Sequence, residues 1–244
     1  MEALILAFFA VGYLVLAGAD IGVGMLLRYL GRTPDERREV LAAIAPFFLG
    51  NEVWLVATAG VLVGLFPHAE AELFGGPDFL AVVGLVASWV VRDMALWLRG
   101  RLPGARWQGF WDHAIVAGSW GLALALGTLF SGLLLDVSWP LAIAPALLGA
   151  VLFGAHGLAF AALRLTGRLR ERARTPAPGS EVGTYVLTGV TLAAVGVLAG
   201  LGLPLEPGNT WLGPVILAVI PFLVAAQAIV WWVCRGRVTG PSYL

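Results

Sequence analysis

Seven long apolar stretches follow one another along the chain, separated by short polar segments. They cover residues 3–30, 41–66, 79–98, 110–135, 141–165, 182–203 and 214–234. Each is long enough for the roughly 20 residues that a helix needs to cross the hydrocarbon core of a bilayer. Because lipid offers the backbone no hydrogen-bond partners, the pattern predicts an all-α, polytopic transmembrane helix bundle of about seven spans.

The composition agrees with this pattern. Of the 244 residues, 59% are hydrophobic and only 12% are charged, whereas charged residues make up about a quarter of a soluble domain. The 32 glycines are typical of helices that approach one another closely in a membrane. The first stretch has no basic residues before it and no small-residue cleavage site, so we interpret it as a retained span rather than a signal peptide.

The positive charges alternate from loop to loop. All fifteen basic residues are arginines, and every one except Arg92 lies at the end of, or after, the first, third, fifth or seventh span. Those fourteen are Arg28, Arg32, Arg37, Arg38, Arg99, Arg101, Arg106, Arg164, Arg168, Arg170, Arg172, Arg174, Arg235 and Arg237. The positive-inside rule therefore predicts an external amino terminus and a cytoplasmic carboxyl terminus. Topology accounts for the arginine-rich fifth loop, so we expect contact with membrane lipid and no nucleic-acid partner.

Some loop segments also carry local structural signals. Residues 33–40 (TPDERREV) predict a helix start, with Thr33 as the cap, Pro34 in the first position, and Asp35 and Glu36 in the first turn. Residues 175–180 (TPAPGS) are the only linker-like stretch.

Two carboxylic acids lie inside predicted spans, where an ionisable group is costly unless it is paired, protonated or hydrated. Asp20 is flanked by Gly18, Gly22 and Gly24, which would let another helix come close. It can serve either as a helix–helix hydrogen-bonding group or in proton or ligand handling. Glu52 lies fourteen residues from both Arg38 and Phe66, near the expected midplane of the membrane, and is a plausible proton carrier.

The residues around Glu52 add to this polar region. Asn51 projects roughly 100° away from Glu52 around the helix, so it can join two helices. Trp54 lies too deep for an interfacial belt, and we expect it to fill space between helices. Pro46 and Gly50 can loosen the helix locally and free backbone carbonyls.

Four further polar residues are predicted to connect helices. Arg92 and Asp93 are adjacent and diverge around the third span, so we expect partners on other helices, with an Arg92–Asp112 bond as the structural interpretation. His156 is the only histidine deep in a span. It is either a hydrogen-bonded packing residue or a haem ligand, and the latter would need a second ligand at matching depth, for which His113 is the only candidate.

Other kinds of chemistry find no support in the sequence. There is no nucleophile triad, phosphate loop or cysteine–histidine metal cluster, and the single Cys234 is expected to be a helix-packing thiol. The last two spans are nearly free of charge, with Gln227 the most polar residue of the seventh. We therefore expect any chemistry to belong to the first five spans.

An ordered set of motifs resembles subunit II of cytochrome bd quinol oxidases. The matches are dense between residues 18 and 119 and thinner afterwards. They comprise residues 18–26 (GADIGVGML), 30–32 (LGR), 36–38 (ERR), 44–46 (IAP), 50–55 (GNEVWL), 87–88 (AS) with Arg92, 111–112 (WD), 118–119 (GS), 156–157 (HG) and 222–238 with its RGR at 235–237.

The resemblance implies a noncatalytic subunit of a prokaryotic cytoplasmic-membrane oxidase that oxidises quinol and reduces dioxygen to water. Its partner would be a haem-bearing subunit I that holds haem b and haem d, so this chain itself would bind no cofactor or metal; small accessory subunits are left open. The resemblance also implies that Trp54 belongs to an oxygen-access region and that Asp20, with Asn51 and Glu52, belongs to a buried polar path for protons.

This chain departs from the family pattern in two ways. Relatives typically carry Trp-Asp-Gly-Asn where this chain has Phe-Leu-Gly-Asn, so Leu49 replaces an acid. Either Glu52 takes over the polar role, or protons reach the haems through subunit I alone. The family also typically has eight spans in two four-helix bundles. We therefore expect a first four-helix bundle over residues 1–135 and a reduced three-helix bundle over 136–244.

Two other functions compete with this one. A stand-alone proton-coupled transporter could use Asp20 and Glu52, although the second half of the chain has no counterpart of Glu52. A degenerate subunit could instead retain only an assembly role.

Overall fold

The structure is a computed structural model and describes residues 1–137, 140–176, 179–208 and 211–240. The fold of this part of the chain is helical. Its helices are α1 (Glu2–Met25), α2 (Leu27–Leu30), α3 (Pro34–Leu65), α4 (Pro67–Gly75), α5 (Phe79–Arg99), α6 (Ala105–Leu135), α7 (Ile143–Arg164), α8 (Gly167–Arg174), α9 (Glu181–Gly200) and α10 (Leu212–Val233). Seven of them, all except α2, α4 and α8, are long and apolar enough to cross a membrane. The predicted fold class is therefore confirmed.

The helix ends follow the local sequence signals. The Thr33 side chain accepts a hydrogen bond from the Glu36 backbone N–H, and the Glu36 carboxylate accepts one from the Thr33 backbone N–H. This reciprocal capping box satisfies two donors that a helix start otherwise leaves unpaired. It confirms the predicted start of α3, which begins well before the apolar stretch. The predicted linker at 175–180 lies partly outside the described residues, at 177–178.

Helix α1 forms the centre of the bundle and packs against α3, α6, α7 and α9. Glycine permits the closest of these approaches, because a Cβ on Gly22 would overlap the backbone of Phe153 and Gly157 in α7. A Cβ on Gly24 would likewise meet the hydroxyl of Ser119 in α6. The expectation that the glycines around Asp20 let other helices come close is confirmed. Since α1 contacts helices of both predicted bundles, their division after residue 135 stays a prediction.

The polar residues of α3 lie between two apolar clusters. One cluster contains Phe47 and Phe48, and the other contains Trp54 and Val61. Asn51 and Glu52 occupy the interval between them and are buried. Helix α10 packs mainly on α3 and more lightly on α1, and its only buried residues are Gly213 and Gln227.

Candidate functional site

A hydrogen-bond chain joins three spans at the centre of the protein. Asn51 in α3 donates from Nδ2 to Asp20 Oδ2 in α1 over 2.7 Å and to the carbonyl of Leu16 over 3.2 Å. Its Oδ1 accepts from Gln227 Nε2 in α10 at 2.8 Å. The prediction that Asn51 joins helices is confirmed. Gln227 of the seventh span also enters this polar region, while the expectation that any chemistry belongs to the first five spans stays a prediction.

The carboxylate of Asp20 is completely buried, with an exposed fraction of 0%. Its Oδ2 is held by Asn51, while its Oδ1 accepts no hydrogen bond from the described residues. A buried carboxylate oxygen without a donor is costly as an anion. Oδ1 is therefore the atom at which this group can take up a proton.

A buried ion pair lies beside this chain. Arg92 in α5 donates from Nη1 to Glu52 Oε1 over 2.8 Å and to Asp93 Oδ1 over 3.0 Å. The Arg92 side chain is fully buried, whereas 19% of the Asp93 side chain is exposed. Asp93 borders a surface groove between Trp89 and Trp97. The Glu52 and Asp93 carboxylates therefore share one guanidinium, which connects the buried side of α3 with the outer side of α5.

The register of α5 against α6 explains why the predicted Arg92–Asp112 bond was wrong. A Cβ on Gly118 of α6 would lie 2.8 Å from the backbone nitrogen of Arg92, so these two residues are level. Seven residues further along α5 and six residues back along α6, Arg99 faces Asp112. Arg99 Nε donates to Asp112 Oδ1 over 2.5 Å, and Arg37 Nε donates to Oδ2 over 2.7 Å.

The expectation of partners on other helices is confirmed for Arg92, which binds Glu52 of α3. It was wrong that a mutual pair is disfavoured, because Arg92 also binds the adjacent Asp93. The long guanidinium side chain bridges the divergence of the two Cβ directions and reaches both its neighbour and Glu52. Sequence spacing described the backbone correctly but not the reach of this side chain.

Trp54 is buried against α1, with 5% of its surface exposed. Its ring lies where a Cβ on Gly12 would be, and it contacts Phe8 with a centroid separation of 5.2 Å and Phe9 at 6.0 Å. Its Nε1 donates to Gln227 Oε1 over 3.4 Å. Trp54 thus fills space between helices, as expected, and is connected to the Asp20 chain through Gln227.

An apolar cavity of about 800 Å³ opens next to this region. It lies between α1, α3, α5, α6 and the end of α9, and Tyr13, Leu55 and Trp89 are among its lining residues. The Tyr13 hydroxyl is buried and has no hydrogen-bond partner among the described residues. Exposed residues such as Leu4 and Val63 also line the cavity, so it is an apolar cleft that opens to the outside of the chain. A cleft of this size suits small nonpolar molecules or hydrocarbon chains.

His156 does not fit a haem ligand, because both ring nitrogens are occupied. Nδ1 lies 2.8 Å from Thr188 Oγ1, Nε2 lies 2.9 Å from the carbonyl oxygen of Val15, and the ring stacks on Tyr185. His113, the candidate second ligand, contacts Arg28 and the carbonyl of Gly109. Axial ligation needs a free imidazole nitrogen, so these histidines hold helices together. Among the described residues, no group of His, Cys, Asp and Glu could bind a metal ion.

Leu49 occupies the position where the family resemblance implies an acid. It lies on the outer side of α3 with 50% of its surface exposed, whereas Glu52 is 6% exposed and faces inward. Three residues on a helix correspond to a rotation of about 60° between side chains, so the two positions lie on adjoining sides of α3, with Glu52 inside the protein and residue 49 at its edge.

These features define a polytopic helical membrane protein with a charged network enclosed in its span region. The chain belongs to the cytochrome bd terminal oxidase subunit II family, whose model matches residues 1–242. This confirms the predicted family and a multi-pass location in the cytoplasmic membrane.

Several curated proteins are similar to this chain. Cytochrome bd-I ubiquinol oxidase subunit 2 of Escherichia coli K12 is 30% identical over 217 residues, which is 81% of this chain and 56% of that protein. Cytochrome bd ubiquinol oxidase subunit 2 of Bacillus subtilis 168 is 32% identical over 246 residues, covering 93% and 70%. A probable cytochrome oxidase subunit 2 of Haemophilus influenzae is 30% identical, covering 81% and 55%. The chain thus spans little more than half the length of the first and third of these relatives.

Proposed function

We propose that this chain is subunit II of a bd-type quinol:dioxygen oxidoreductase, the terminal oxidase of a respiratory chain. The observation that carries the proposal is the family match over residues 1–242. In this proposal the partner is a haem-bearing subunit I that holds haem b and haem d and receives electrons from quinol. The engaged ring nitrogens of His156 support a haem-free role for this chain.

The buried polar residues are assigned to proton supply. Reduction of dioxygen to water consumes protons, and Asp20, Asn51 and Glu52 form the buried polar path in this proposal. Its support is geometric, because Asp20 Oδ1 has no donor among the described residues and Glu52 shares Arg92 with the partly exposed Asp93. Glu52 then serves in place of the acid absent at Leu49. Glu52→Gln should lower turnover if this is correct. If Leu49→Asp raises turnover and Glu52→Gln leaves it unchanged, the assignment of Glu52 is wrong.

Trp54 is assigned to oxygen access. The support is its location between the aromatic rings of α1 and Gln227, close to an apolar cavity lined by its neighbours Leu55 and Val56. Dioxygen is nonpolar and enters such interiors more easily than water does. Trp54→Ala should change the KM for dioxygen more than the turnover number at saturating oxygen.

The remaining interhelix polar residues are assigned to holding this geometry. Arg92 and Asp93 fix the Glu52 side chain, and Asp112 joins α6 to α3 and α5. His156 ties α7 to α1 and α9. We also propose that the amino terminus faces outward and that residues 1–135 and 136–244 form two bundles. The support for the orientation is the arginine distribution.

Copurification tests the complex itself. An affinity-tagged chain extracted in mild detergent should retain a haem-bearing membrane protein that shows the absorption of both haem b and haem d. Deleting this chain should abolish the haem d absorption in membranes. A chain that purifies alone and leaves the membrane spectrum intact when deleted would rule out the proposal.

The competing functions make different predictions. The family match favours the oxidase subunit over a stand-alone transporter, which would have to move a substrate when reconstituted alone in liposomes. A subunit with only an assembly role would keep normal oxidase turnover when Asp20→Asn and Glu52→Gln are combined.

A further inference from the structure

Gln227 is the one polar side chain that α10 buries in the protein. Its amide bonds twice to α3, since it donates to Asn51 Oδ1 over 2.8 Å and accepts from Trp54 Nε1 over 3.4 Å. Gly50 leaves room for this approach, since a Cβ there would lie 3.3 Å from Gln227 Oε1.

The chemistry of Trp54 fixes the direction of the whole chain. An indole N–H can only donate a hydrogen bond, whereas a carboxamide can present either its oxygen or its nitrogen. Gln227 must therefore turn its oxygen toward Trp54 and its NH₂ group toward Asn51. Asn51 must then present its oxygen to Gln227 and its NH₂ group to Asp20, as the structure has it.

We propose that Gln227 is a positioning residue that, together with Asn51, forms a one-directional amide relay from Trp54 to Asp20. The relay keeps an N–H donor on Asp20 Oδ2 and so leaves Oδ1 as the oxygen that exchanges protons. This inference rests on the proposed function, in which Trp54 belongs to oxygen access and Asp20 to proton supply. It connects those two roles through a residue of the seventh span.

Other groups also act on Asp20, but through charge. Glu52 from α3 and Arg92 and Asp93 from α5 influence it electrostatically, and Asp20 itself acts on Tyr13 of α1 and Tyr185 of α9. Of the described residues, only Asn51 is hydrogen-bonded to its carboxylate. A change at Gln227 therefore reaches Asp20 through the orientation of the Asn51 amide.

The test compares two substitutions in the intact oxidase complex. Gln227→Leu removes both hydrogen bonds and leaves the Asn51 amide free to turn away from Asp20. Because the hydrogen bond from Asn51 to the Asp20 carboxylate is then lost, quinol-dependent oxygen uptake should fall about tenfold. The haem absorption of the complex shows whether the variant has assembled. The Raman band of the Trp54 indole N–H, assigned by difference from Trp54→Phe, should shift in this variant.

Gln227→Glu separates hydrogen-bond direction from side-chain size. When protonated, a carboxyl accepts from Trp54 and donates to Asn51, so it reproduces the relay. When ionised, it can only accept, and the Asn51 amide must turn its NH₂ group away from Asp20. Turnover should therefore be close to native at low pH and fall as the pH rises through the titration of the new group. Gln108→Glu, at the other glutamine of the chain, is the matched control and should keep the native profile.

The outcomes distinguish the relay from the proposed function. Native turnover in an assembled Gln227→Leu complex overturns the relay. So does a Gln227→Glu complex that is as impaired as Gln227→Leu at every pH, because this would indicate a steric role. Rescue of turnover by Gln227→Glu at low pH supports it. A native complex that shows no quinol-dependent oxygen uptake refutes the proposed function instead.

Discussion

Replacing Arg92 tests the buried charge network most directly. The guanidinium is fully buried and is bonded to Glu52 at 2.8 Å and to Asp93 at 3.0 Å. Arg92→Met keeps much of the unbranched side-chain volume but removes the only cation that contacts these two acids in the described part of the chain. Two carboxylates would then lie close together without compensation, one of them with only 8% of its side chain exposed.

The expected loss of stability in Arg92→Met is large. Removing one partner of a buried ion pair typically destabilises a protein by about 3–5 kcal/mol, because the remaining charge stays desolvated. At roughly 2–4 °C per kcal/mol for a chain of this size, the thermal midpoint should fall by about 6–20 °C. The double variant Arg92→Met/Glu52→Gln removes the stranded charge and should recover part of this loss.

Thermal unfolding of the purified protein in detergent, followed by tryptophan fluorescence, measures these differences. The ten tryptophans provide the signal, and variants are compared at one heating rate because membrane proteins often unfold irreversibly. Arg106→Met, at an exposed arginine near the start of α6, is the matched control. A surface substitution of this kind is expected to change stability by no more than about 0.5 kcal/mol.

Two results would refute this reasoning. One is an Arg92→Met variant that is no less stable than Arg106→Met. The other is a double variant that is less stable than Arg92→Met alone, because the stranded carboxylate would then not be the origin of the cost.

Three further substitutions test other parts of the structure. Gly22→Leu should prevent α1 from packing on α7 and so prevent the chain from folding, because the leucine side chain would overlap the α7 backbone. A normal yield of monodisperse protein in size-exclusion chromatography would contradict this. Asp112→Asn leaves Arg37 and Arg99 without their shared carboxylate and should cost about 3 kcal/mol by thermal unfolding; an unchanged midpoint would argue against it. Partial burial and the nearby Glu72 charge raise the pKa of Asp78, so its ionised form costs stability above that pKa. Asp78→Asn should therefore stabilise the protein slightly at neutral pH, with no difference below about pH 3, where the acid is protonated in both states.

Local rules of sequence were sufficient for the helices. Span length and hydropathy predicted all seven membrane helices, because a backbone in lipid has almost no alternative to a helix. The start of α3 at Thr33 was predicted from four consecutive residues, since the hydrogen bonds that cap a helix are local. The sequence also singled out Asp20, Asn51 and Glu52, because polar residues in apolar stretches are conspicuous. All three are buried together in the protein.

Only the tertiary structure decided which polar groups meet. In a membrane helix the side facing lipid and the side facing protein are both apolar, so hydrophobic periodicity does not define how the helix is rotated. The axial register of α5 against α6 placed Arg99 rather than Arg92 opposite Asp112, and the location of α10 placed Gln227 between Asn51 and Trp54. The sequence by itself therefore determined the helices and their polar residues. Packing between helices, which depends on shape complementarity at distant positions, determined their pairing.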